Sequence, residues 1–325
     1  MEQTVLEVKN LTVSFHTEKG VILPVNGVTL TVPAGRIVGI VGESGCGKSM
    51  TARAIMGLVK FPGKVTGGEI LLNGRNIAVL PEKERRRLRG AEISMIFQEP
   101  MTSMNPVVKV GKQVDEAVRL HTRCTRAEAK QKTLEMFRKV EIPEPETRYN
   151  CYPHQLSGGL RQRVMIAMAM VCRPRLLIAD EPTTALDVTV EAQILKLLEK
   201  LRDAGTSVLL ISHNLGVIAR TCDLVSVMYA GRIVEHGETA ALFEKPLHPY
   251  TRGLLRSVAS LRAGGENLQT IPGVVPNLLH LPKGCAFSLR CERCGADCEE
   301  NVPELREIMP GHYARCFLAE KEGKE

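Results

Sequence analysis

The chain of 325 residues has no tryptophan, few aromatic residues and no long apolar run. Aromatic residues make up 4% of it, which leaves few platforms on which nucleic-acid bases could stack. The longest apolar run, Val164 to Cys172, has nine residues, about half of what a membrane-spanning helix needs. The first residues, MEQTVLEVKN, lack the basic and apolar segments of a secretory signal. We therefore expect a protein that docks on a membrane, if at all, from the cytoplasm.

The net charge of +7 suits either a nucleic-acid binder or a protein that works near anionic lipid headgroups. The densest charge run is Lys83 to Arg89. Such runs most often form the solvated face of a helix, with contact to lipid or a partner as the alternative.

Four short apolar runs each stop at a candidate site residue. They are 37–41 before Gly42, 93–97 before Gln98, 176–179 before Asp180, and 208–212 before His213. Nearly continuous apolar runs of this length are typical of parallel strands that are buried on both faces. Ligands of open α/β sheets bind outside the carboxyl ends of the strands, where these four residues would lie.

The first of these runs leads into a phosphate-binding loop. The loop consists of Gly42, Glu43, Ser44, Gly45, Cys46, Gly47, Lys48 and Ser49, and it matches the pattern G-x-x-x-x-G-K-[ST]. Its glycines let backbone N–H groups surround phosphate oxygens at the start of a helix, predicted over Met50 to Val59. Lys48 would bind the β- and γ-phosphates and Ser49 would ligate Mg²⁺, whereas Cys46 only fills space.

Two adjacent carboxylates end the third run. Asp180, at the tip of the strand, would hold Mg²⁺ through water, and Glu181 would polarise the water that attacks the γ-phosphate. Together with the phosphate loop, this pair predicts hydrolysis of a nucleoside triphosphate.

A second helix start follows Leu156 in the sequence Ser157-Gly158-Gly159. The helix has an apolar face at i, i+3, i+4 and i+7, formed by Val164, Ala167, Met168 and Val171. Its first N–H groups are free to bind an anion. One γ-phosphate does not need two such cradles from one chain, so this one would cap a nucleotide held by another subunit. An ordinary capped helix is the alternative, which the phosphate loop and the Asp-Glu pair disfavour.

Over roughly residues 5–240 these motifs, with Gln98, Ala185-Leu186-Asp187 and His213, resemble the ATP-binding cassette (ABC) family. The resemblance implies an α/β P-loop NTPase fold, in which a RecA-like core carries antiparallel β and helical subdomains. The cassette would span 1–240 and its helical subdomain about 104–172. Two such subunits would sandwich two ATP molecules head to tail.

The resemblance also implies roles for single residues. Ser157, Gly158 and Gly159 would contact the γ-phosphate in the partner subunit, and Asp187 would cross the dimer interface. His213 would contact the γ-phosphate of its own subunit. Gln98 would sense Mg²⁺ and the attacking water and relay their presence to the helical subdomain. Phe15 would stack on adenine, with a partly core position as the alternative.

The remaining residues, 241–325, form a predicted extension. Its segment His248-Pro249-Tyr250-Thr251-Arg252, with Tyr152-Pro153-His154-Gln155 upstream, resembles the oligopeptide/dipeptide branch of ABC importers. This implies import of peptides, with nickel or another small solute as the alternative cargo. The implied partners are a second ATPase, commonly a paralogue, two permease subunits and, indirectly, an extracellular solute-binding protein. The chain would be peripheral on the cytoplasmic face of the membrane.

Five cysteines cluster in this extension, where a metal site needs four. Such clustering in a reducing compartment favours a metal over disulfides. Cys285, Cys291, Cys298 and Cys316 match the spacing that the branch keeps, and Cys294 is extra. Thiolates with little histidine nearby suit an iron–sulfur cluster or Zn²⁺. The resemblance favours a [4Fe–4S] cluster; Zn²⁺ and free buried thiols are the alternatives.

Two other classes of protein compete with a transporter ATPase. A soluble ABC ATPase that acts on nucleic acid usually has two cassettes or an inserted coiled coil, but this chain has a single Gly-Lys-Ser. A P-loop kinase or GTPase would leave the Ser-Gly-Gly helix unexplained. The sequence therefore predicts an importer ATPase, and nucleic acid is not an expected partner.

Overall fold

A computed structural model describes residues 3–99, 103–262 and 271–322 of the chain. The strands are β1 (Thr4–Thr17), β2 (Gly20–Pro33), β3 (Ile37–Val41), β4 (Gly63–Leu72), β5 (Arg75–Asn76), β6 (Ile93–Ile96), β7 (Leu176–Asp180), β8 (Ser207–Ser212), β9 (Leu224–Tyr229), β10 (Arg232–Glu238), β11 (Arg306–Met309) and β12 (His312–Ala314). The α-helices are α1 (Lys48–Ile55), α2 (Glu82–Leu88), α3 (Val110–His121), α4 (Arg126–Lys139), α5 (Pro145–Arg148), α6 (Gly158–Met170), α7 (Val188–Asp203), α8 (Leu215–Thr221), α9 (Thr239–Glu244), α10 (Pro249–Arg262), α11 (Ala296–Glu300) and α12 (Phe317–Glu322).

The chain divides into two compact units. The first contains residues 1–5, 33–35 and 79–209, and the second contains 6–32, 36–78 and 210–325. The residues of β8 fall in both units, so the chain passes from the first to the second within this strand.

The first unit contains a parallel strand pair and six of the described α-helices, α2 to α7. Strands β6 and β7 pair in parallel from Ile93 opposite Leu176 to Ile96 opposite Ala179, and every residue of both strands is buried. Helix α7 is amphipathic and buries Ile194, Leu195, Leu197 and Leu198. Continuous burial is what the nearly continuous apolar runs predicted for these strands.

Helices α3, α4, α5 and α6 fill the predicted helical region, 104–172. Helix α4 begins at a capping box, in which Thr125 accepts from the backbone of Glu128 and Glu128 accepts from the backbone of Thr125. Buried Asp115 on α3 accepts hydrogen bonds from Thr133 on α4 and from Tyr149, which follows α5. These polar contacts link α3 to α4 and to the residue that follows α5.

The second unit contains two sheets. One is antiparallel at its β1–β4 and β4–β5 pairs and has the order β2-β1-β4-β5. The other has the order β11-β12-β10-β9-β3, in which β3 and β9 are parallel and the remaining pairs are antiparallel. The C-terminal hairpin of β11 and β12 therefore extends the sheet that contains β3. Nε2 of His312 on β12 is 2.8 Å from Oε1 of buried Glu235 on β10, and this hydrogen bond also joins the hairpin to β10.

The predicted strands are confirmed to within one residue at each end, because burial on both faces is visible in the sequence itself. The helix predicted over Met50 to Val59 is shorter and starts earlier, at Lys48–Ile55. It starts earlier because Gly47 takes a left-handed conformation and caps it. Among the described residues no helix is long and apolar enough to cross a membrane.

Candidate functional site

The phosphate loop of the second unit lies between buried β3 and helix α1. Its lysine folds back over it, so that Nζ of Lys48 donates to the carbonyls of Gly42 at 2.8 Å and of Glu43 at 3.0 Å. Gly47 has φ of 110°, and a Cβ there would lie 2.0 Å from the carbonyl oxygen of Pro24. Only glycine fits this position, which turns the chain into α1 and leaves the helix N-terminus open to an anion.

Cys46 lies inside the loop and is fully buried. Burial raises the pKa of its thiol, which is therefore protonated at neutral pH. Its Sγ would be 2.9 Å from a Cβ on Gly42. It fills the space beside Gly42, where a side chain would collide with its sulfur.

Glu43 is tied to the C-terminal extension, which the sequence did not predict. Its carboxylate accepts two hydrogen bonds from the guanidinium of Arg290, at 2.7 and 3.1 Å. Its backbone N–H donates to the hydroxyl of Tyr250 at 2.9 Å. Tyr250 lies in the His-Pro-Tyr segment that the sequence analysis singled out. Nothing in the sequence indicated that this tyrosine contacts the phosphate loop.

The two adjacent carboxylates lie at the end of β7 in the first unit. Asp180 is 2% exposed, whereas Glu181 is half-buried and has φ of 47°. Its carboxylate accepts from Nε2 of Gln98 and from Oγ1 of Thr184, each at 3.0 Å. The structure thus brings together Gln98 and Glu181, which the sequence proposed, and adds Thr184, which it missed. A threonine three residues after a glutamate is too common a pattern to be a signal.

The second helix start of the sequence, Ser157 before α6, is also in the first unit. The Ser157 hydroxyl accepts from the backbone N–H of Leu160 at 3.4 Å. Ser157 and Gly158 are exposed, and a Cβ on Gly159 would lie 2.8 Å from Cγ1 of Val190. The two glycines therefore leave one side of the helix start open to solvent and let the other pack closely on α7.

Asp187 and His213 occupy positions that suit contact with a ligand or a partner. Asp187 is exposed and caps α7, where it accepts from the backbone N–H of Val190 at 2.9 Å. His213 is exposed and directly follows β8. The cap fixes the orientation of the Asp187 carboxylate.

Phe15, the predicted adenine platform, lies on β1 opposite Gly63 of β4. A Cβ on Gly63 would be 2.4 Å from Cζ of Phe15, so one face of the ring covers the glycine. The side chain is half-buried. A ring supported on one face and partly exposed can stack on a base, and this assignment stays a prediction.

The four predicted cluster ligands line one small cavity. Its lining includes Cys285, Cys291, Cys298 and Cys316, and Cys294 is outside it. Burial, with the neighbouring thiols, raises the pKa of Cys285 to about 11. In the described ranges, no group of three or more His, Cys, Asp or Glu side chains is arranged so that it could hold a metal ion. The predicted metal site is therefore not confirmed.

Comparison with known families identifies two regions of the chain. Residues 25–184 match the ABC transporter family, and residues 234–298 match the family described as oligopeptide/dipeptide transporter, C-terminal region. The first match contains the phosphate loop, the Ser-Gly-Gly helix start and the carboxylate pair. The second contains Tyr250 and Arg290.

Known relatives match nearly the whole chain. A probable peptide ABC transporter ATP-binding protein of Sinorhizobium fredii is 53% identical over 96% of this chain and 94% of its own length. The oligopeptide transport ATP-binding protein OppD of Salmonella typhimurium is 51% identical over 98% of this chain and 94% of its own length.

Solved structures show the same fold. A bacterial ABC transporter cassette, solved as a dimer, has a TM-score of 0.66 and 29% identity, and the match covers 72% of this chain and 98% of the cassette. An ATP-binding cassette in a post-hydrolysis state with ADP and phosphate has a TM-score of 0.66 at 28% identity. From these matches and the full-length relatives, the chain belongs to the ATP-binding proteins of ABC transporters, in the oligopeptide/dipeptide transporter branch.

Proposed function

We propose that this chain is the ATP-binding and ATP-hydrolysing subunit of an importer that takes up peptides across the cytoplasmic membrane. The observation that carries the proposal is the 51% sequence identity to OppD, which extends over both the cassette and the extension. The phosphate loop supports it, because Lys48, Gly47 and the start of α1 have the geometry that a triphosphate needs.

The proposed hydrolysis divides the work between charged residues. The loop amides and Lys48 bind the β- and γ-phosphates, and Ser49 and Asp180 hold Mg²⁺, Asp180 through water. Glu181 polarises the attacking water. Its hydrogen bonds with Gln98 and Thr184 support this role, since they orient the carboxylate before the water arrives. His213 binds the γ-phosphate, and Phe15 stacks on adenine.

The proposed working unit is a head-to-tail pair with a second ABC ATPase, which is a paralogue or a copy of this chain. Ser157, Gly158 and Gly159 contact the nucleotide of the partner, and Asp187 crosses the interface. The exposure of Ser157, Gly158 and Asp187 supports this. The cassette comprises 1–240 and the extension 241–325. The pair docks on two permease subunits at the cytoplasmic face, and a solute-binding protein delivers the peptide outside.

We further propose that the extension binds a [4Fe–4S] cluster, with Zn²⁺ as the alternative. The residues fit such a group in kind, since Cys285, Cys291, Cys298 and Cys316 share one cavity and offer four soft thiolates. The group would cross-link three short segments of the extension. No step of ATP hydrolysis depends on it.

The test of the proposed function is peptide uptake that depends on Glu181. In cells whose uptake of a toxic or labelled peptide requires this chain, Glu181→Gln should abolish uptake. The purified variant should bind ATP with unchanged affinity but hydrolyse it about 10²–10⁴-fold more slowly, because only the positioned base is lost.

Glu191→Gln is the matched control, since Glu191 also lies in the first unit, in the first turn of α7. It should leave uptake and hydrolysis at the wild-type level. Uptake of nickel but not of peptide would replace the proposed cargo. Full hydrolysis by Glu181→Gln would remove Glu181 from the role of base.

A further inference from the structure

We infer that Arg290, in the C-terminal extension, is a positioning residue for the phosphate loop: it holds and neutralises the Glu43 carboxylate so that the loop can accept a triphosphate. The inference rests on the proposed binding of ATP at this loop. It adds to that site a residue that lies 247 positions further along the chain.

The two side chains form a fork with two nearly parallel hydrogen bonds. Nη1 of Arg290 is 2.7 Å from Oε2 of Glu43, and Nη2 is 3.1 Å from Oε1. The arginine side chain is 4% exposed and the glutamate side chain 29%. Bidentate, charge-assisted bonds of this kind are among the stronger ones in proteins, and water competes poorly for a buried guanidinium.

The backbone of the extension fixes the arginine in place. Its Nε donates to the carbonyl of Pro272 at 2.9 Å, and Nη2 also lies 3.4 Å from the carbonyl of Ile271. A guanidinium keeps its charge throughout the pH range in which proteins work. It is therefore a fixed cation that the extension presents to the loop.

Aromatic rings support the same guanidinium from the side. Its Cζ is 5.8 Å from the ring centroid of Tyr229 and 5.9 Å from that of Phe287. The ring of Tyr229 also packs on Tyr250, at 4.6 Å between centroids. Tyr229 thus contacts both Arg290 and Tyr250, and the hydroxyl of Tyr250 accepts from the backbone N–H of Glu43.

Glu43 is fixed at its backbone as well as at its side chain. Its N–H donates to the hydroxyl of buried Tyr250 at 2.9 Å, and its carbonyl accepts from Nζ of Lys48 at 3.0 Å. Glu43 is thus held at three points, two of which the extension supplies. The conformation of the loop therefore depends on residues outside the cassette.

Electrostatics explain why the carboxylate needs a counter-charge. ATP carries several negative charges, and an unpaired carboxylate in the loop that binds it would repel the phosphates. With Arg290 in place, the charge of Glu43 is already compensated before the nucleotide binds.

The experiment measures the Kd of Mg-ATP for the full-length chain by calorimetric titration. Arg290→Gln should weaken binding about 10- to 100-fold, as expected when a partly buried charge loses its partner. The double variant E43Q/R290Q should recover binding to within about threefold of Glu43→Gln alone, because no charge is then left uncompensated. A merely structural role predicts the opposite, with the double variant as weak as Arg290→Gln or weaker.

Two further variants keep the test decisive. Arg290→Lys retains the charge without the fork and should weaken binding less than Arg290→Gln, even if the latter folds poorly. Arg306→Gln removes another arginine of the extension, exposed and 3.1 Å from Glu304, and should bind ATP like the wild type. If the wild type itself fails to bind ATP, the proposed function fails. If the wild type binds and Arg290→Gln binds equally well, or the double variant stays weak, the inference is wrong.

Discussion

The five C-terminal cysteines differ in what surrounds their sulfur atoms. Cys298 and Cys316 are buried and line the same cavity as Cys285 and Cys291, whereas Cys294 is outside it. Burial raises the pKa of Cys285 to about 11, so its thiol is protonated at neutral pH when no metal is bound. A metal that binds there has to displace protons, and binding is then coupled to the folding of the extension.

For the proposed metal site, we therefore expect the cysteines to contribute unequally to metal retention. After anaerobic purification, Cys298→Ser should lose bound iron and the broad absorption near about 400 nm that iron–sulfur clusters show. Cys294→Ser, three to four residues from two predicted ligands, is the matched control and should keep both. Elemental analysis of iron and zinc per chain gives the readout. Equal metal content in the two variants, or none in the wild type, would contradict the prediction.

Residues that form a site through neighbouring positions could be predicted from the sequence, and those joined over long distances could not. The phosphate loop consists of eight consecutive residues, and its glycines are needed for the local conformation of the backbone. The pairing of Glu43 with Arg290 depends instead on the tertiary fold, since a lone Arg and a lone Glu are common surface residues. Thr184 was not predicted for a related reason. Its contact with Glu181 forms where the backbone of Glu181 is left-handed, and no pattern in the sequence indicates that conformation.

At the scale of elements, one buried carboxylate links α3 to α4 and to the residue that follows α5. Asp115 on α3 accepts from Thr133 and Tyr149, and the ring of Tyr149 covers Gly111, where a Cβ would lie 2.1 Å from it. Burial and the bond to Asp115 raise the pKa of the Tyr149 hydroxyl, so it remains a donor. These contacts bring α3, α4 and the end of α5 together.

Tyr149→Phe should therefore destabilise this region. It keeps the ring but leaves Asp115 with one fewer donor, and we expect a loss of about 1–3 kcal/mol in the free energy of unfolding. Tyr152→Phe is the matched control, because Tyr152 is half-buried and stacks on His154. Chemical denaturation followed by circular dichroism measures both. If the two variants unfold at the same denaturant concentration, the buried hydrogen bond does not stabilise the helices.

Strands were more predictable than helix boundaries for a physical reason. Every residue of β3, β6, β7 and β8 is buried, so each strand appears in the sequence as a nearly continuous apolar run. The start of α1 depends on the backbone conformation of Gly47, and the C-terminal hairpin of β11 and β12 is partly exposed and has no such run. The sequence indicated an extension but not that it pairs with the sheet of β3.

At the scale of the whole molecule, the central question is whether a single chain owns a complete nucleotide site. The start of α6 presents Ser157 and Gly158 to solvent, and their open face has the free amides that an anion needs. A cassette of the same fold was solved as a dimer. If the proposed pairing is right, binding of ATP belongs to one chain, whereas hydrolysis belongs to two.

Ser157→Arg separates these two steps. The variant should bind Mg-ATP with the wild-type Kd when it is monomeric, because its own phosphate loop is untouched. It should fail to hydrolyse ATP when it is assembled with its partner, because a bulky side chain blocks the helix start that reaches the nucleotide of the other subunit. We expect a loss of about 10²-fold or more, comparable to the removal of other preorganised donors at a reacting phosphate.

The control for this prediction is Thr147→Arg, which adds the same side chain at an exposed position of α5 and should change neither step. The mass of the species that hydrolyses ATP, measured by light scattering at the assay concentration, completes the test. A strictly monomeric Ser157→Arg preparation that consumes ATP as fast as the assembled wild type would show that the site is complete within one chain. The exposed Ser-Gly-Gly helix start would then be an ordinary helix cap, and the pairing of two ATPase subunits would need another explanation.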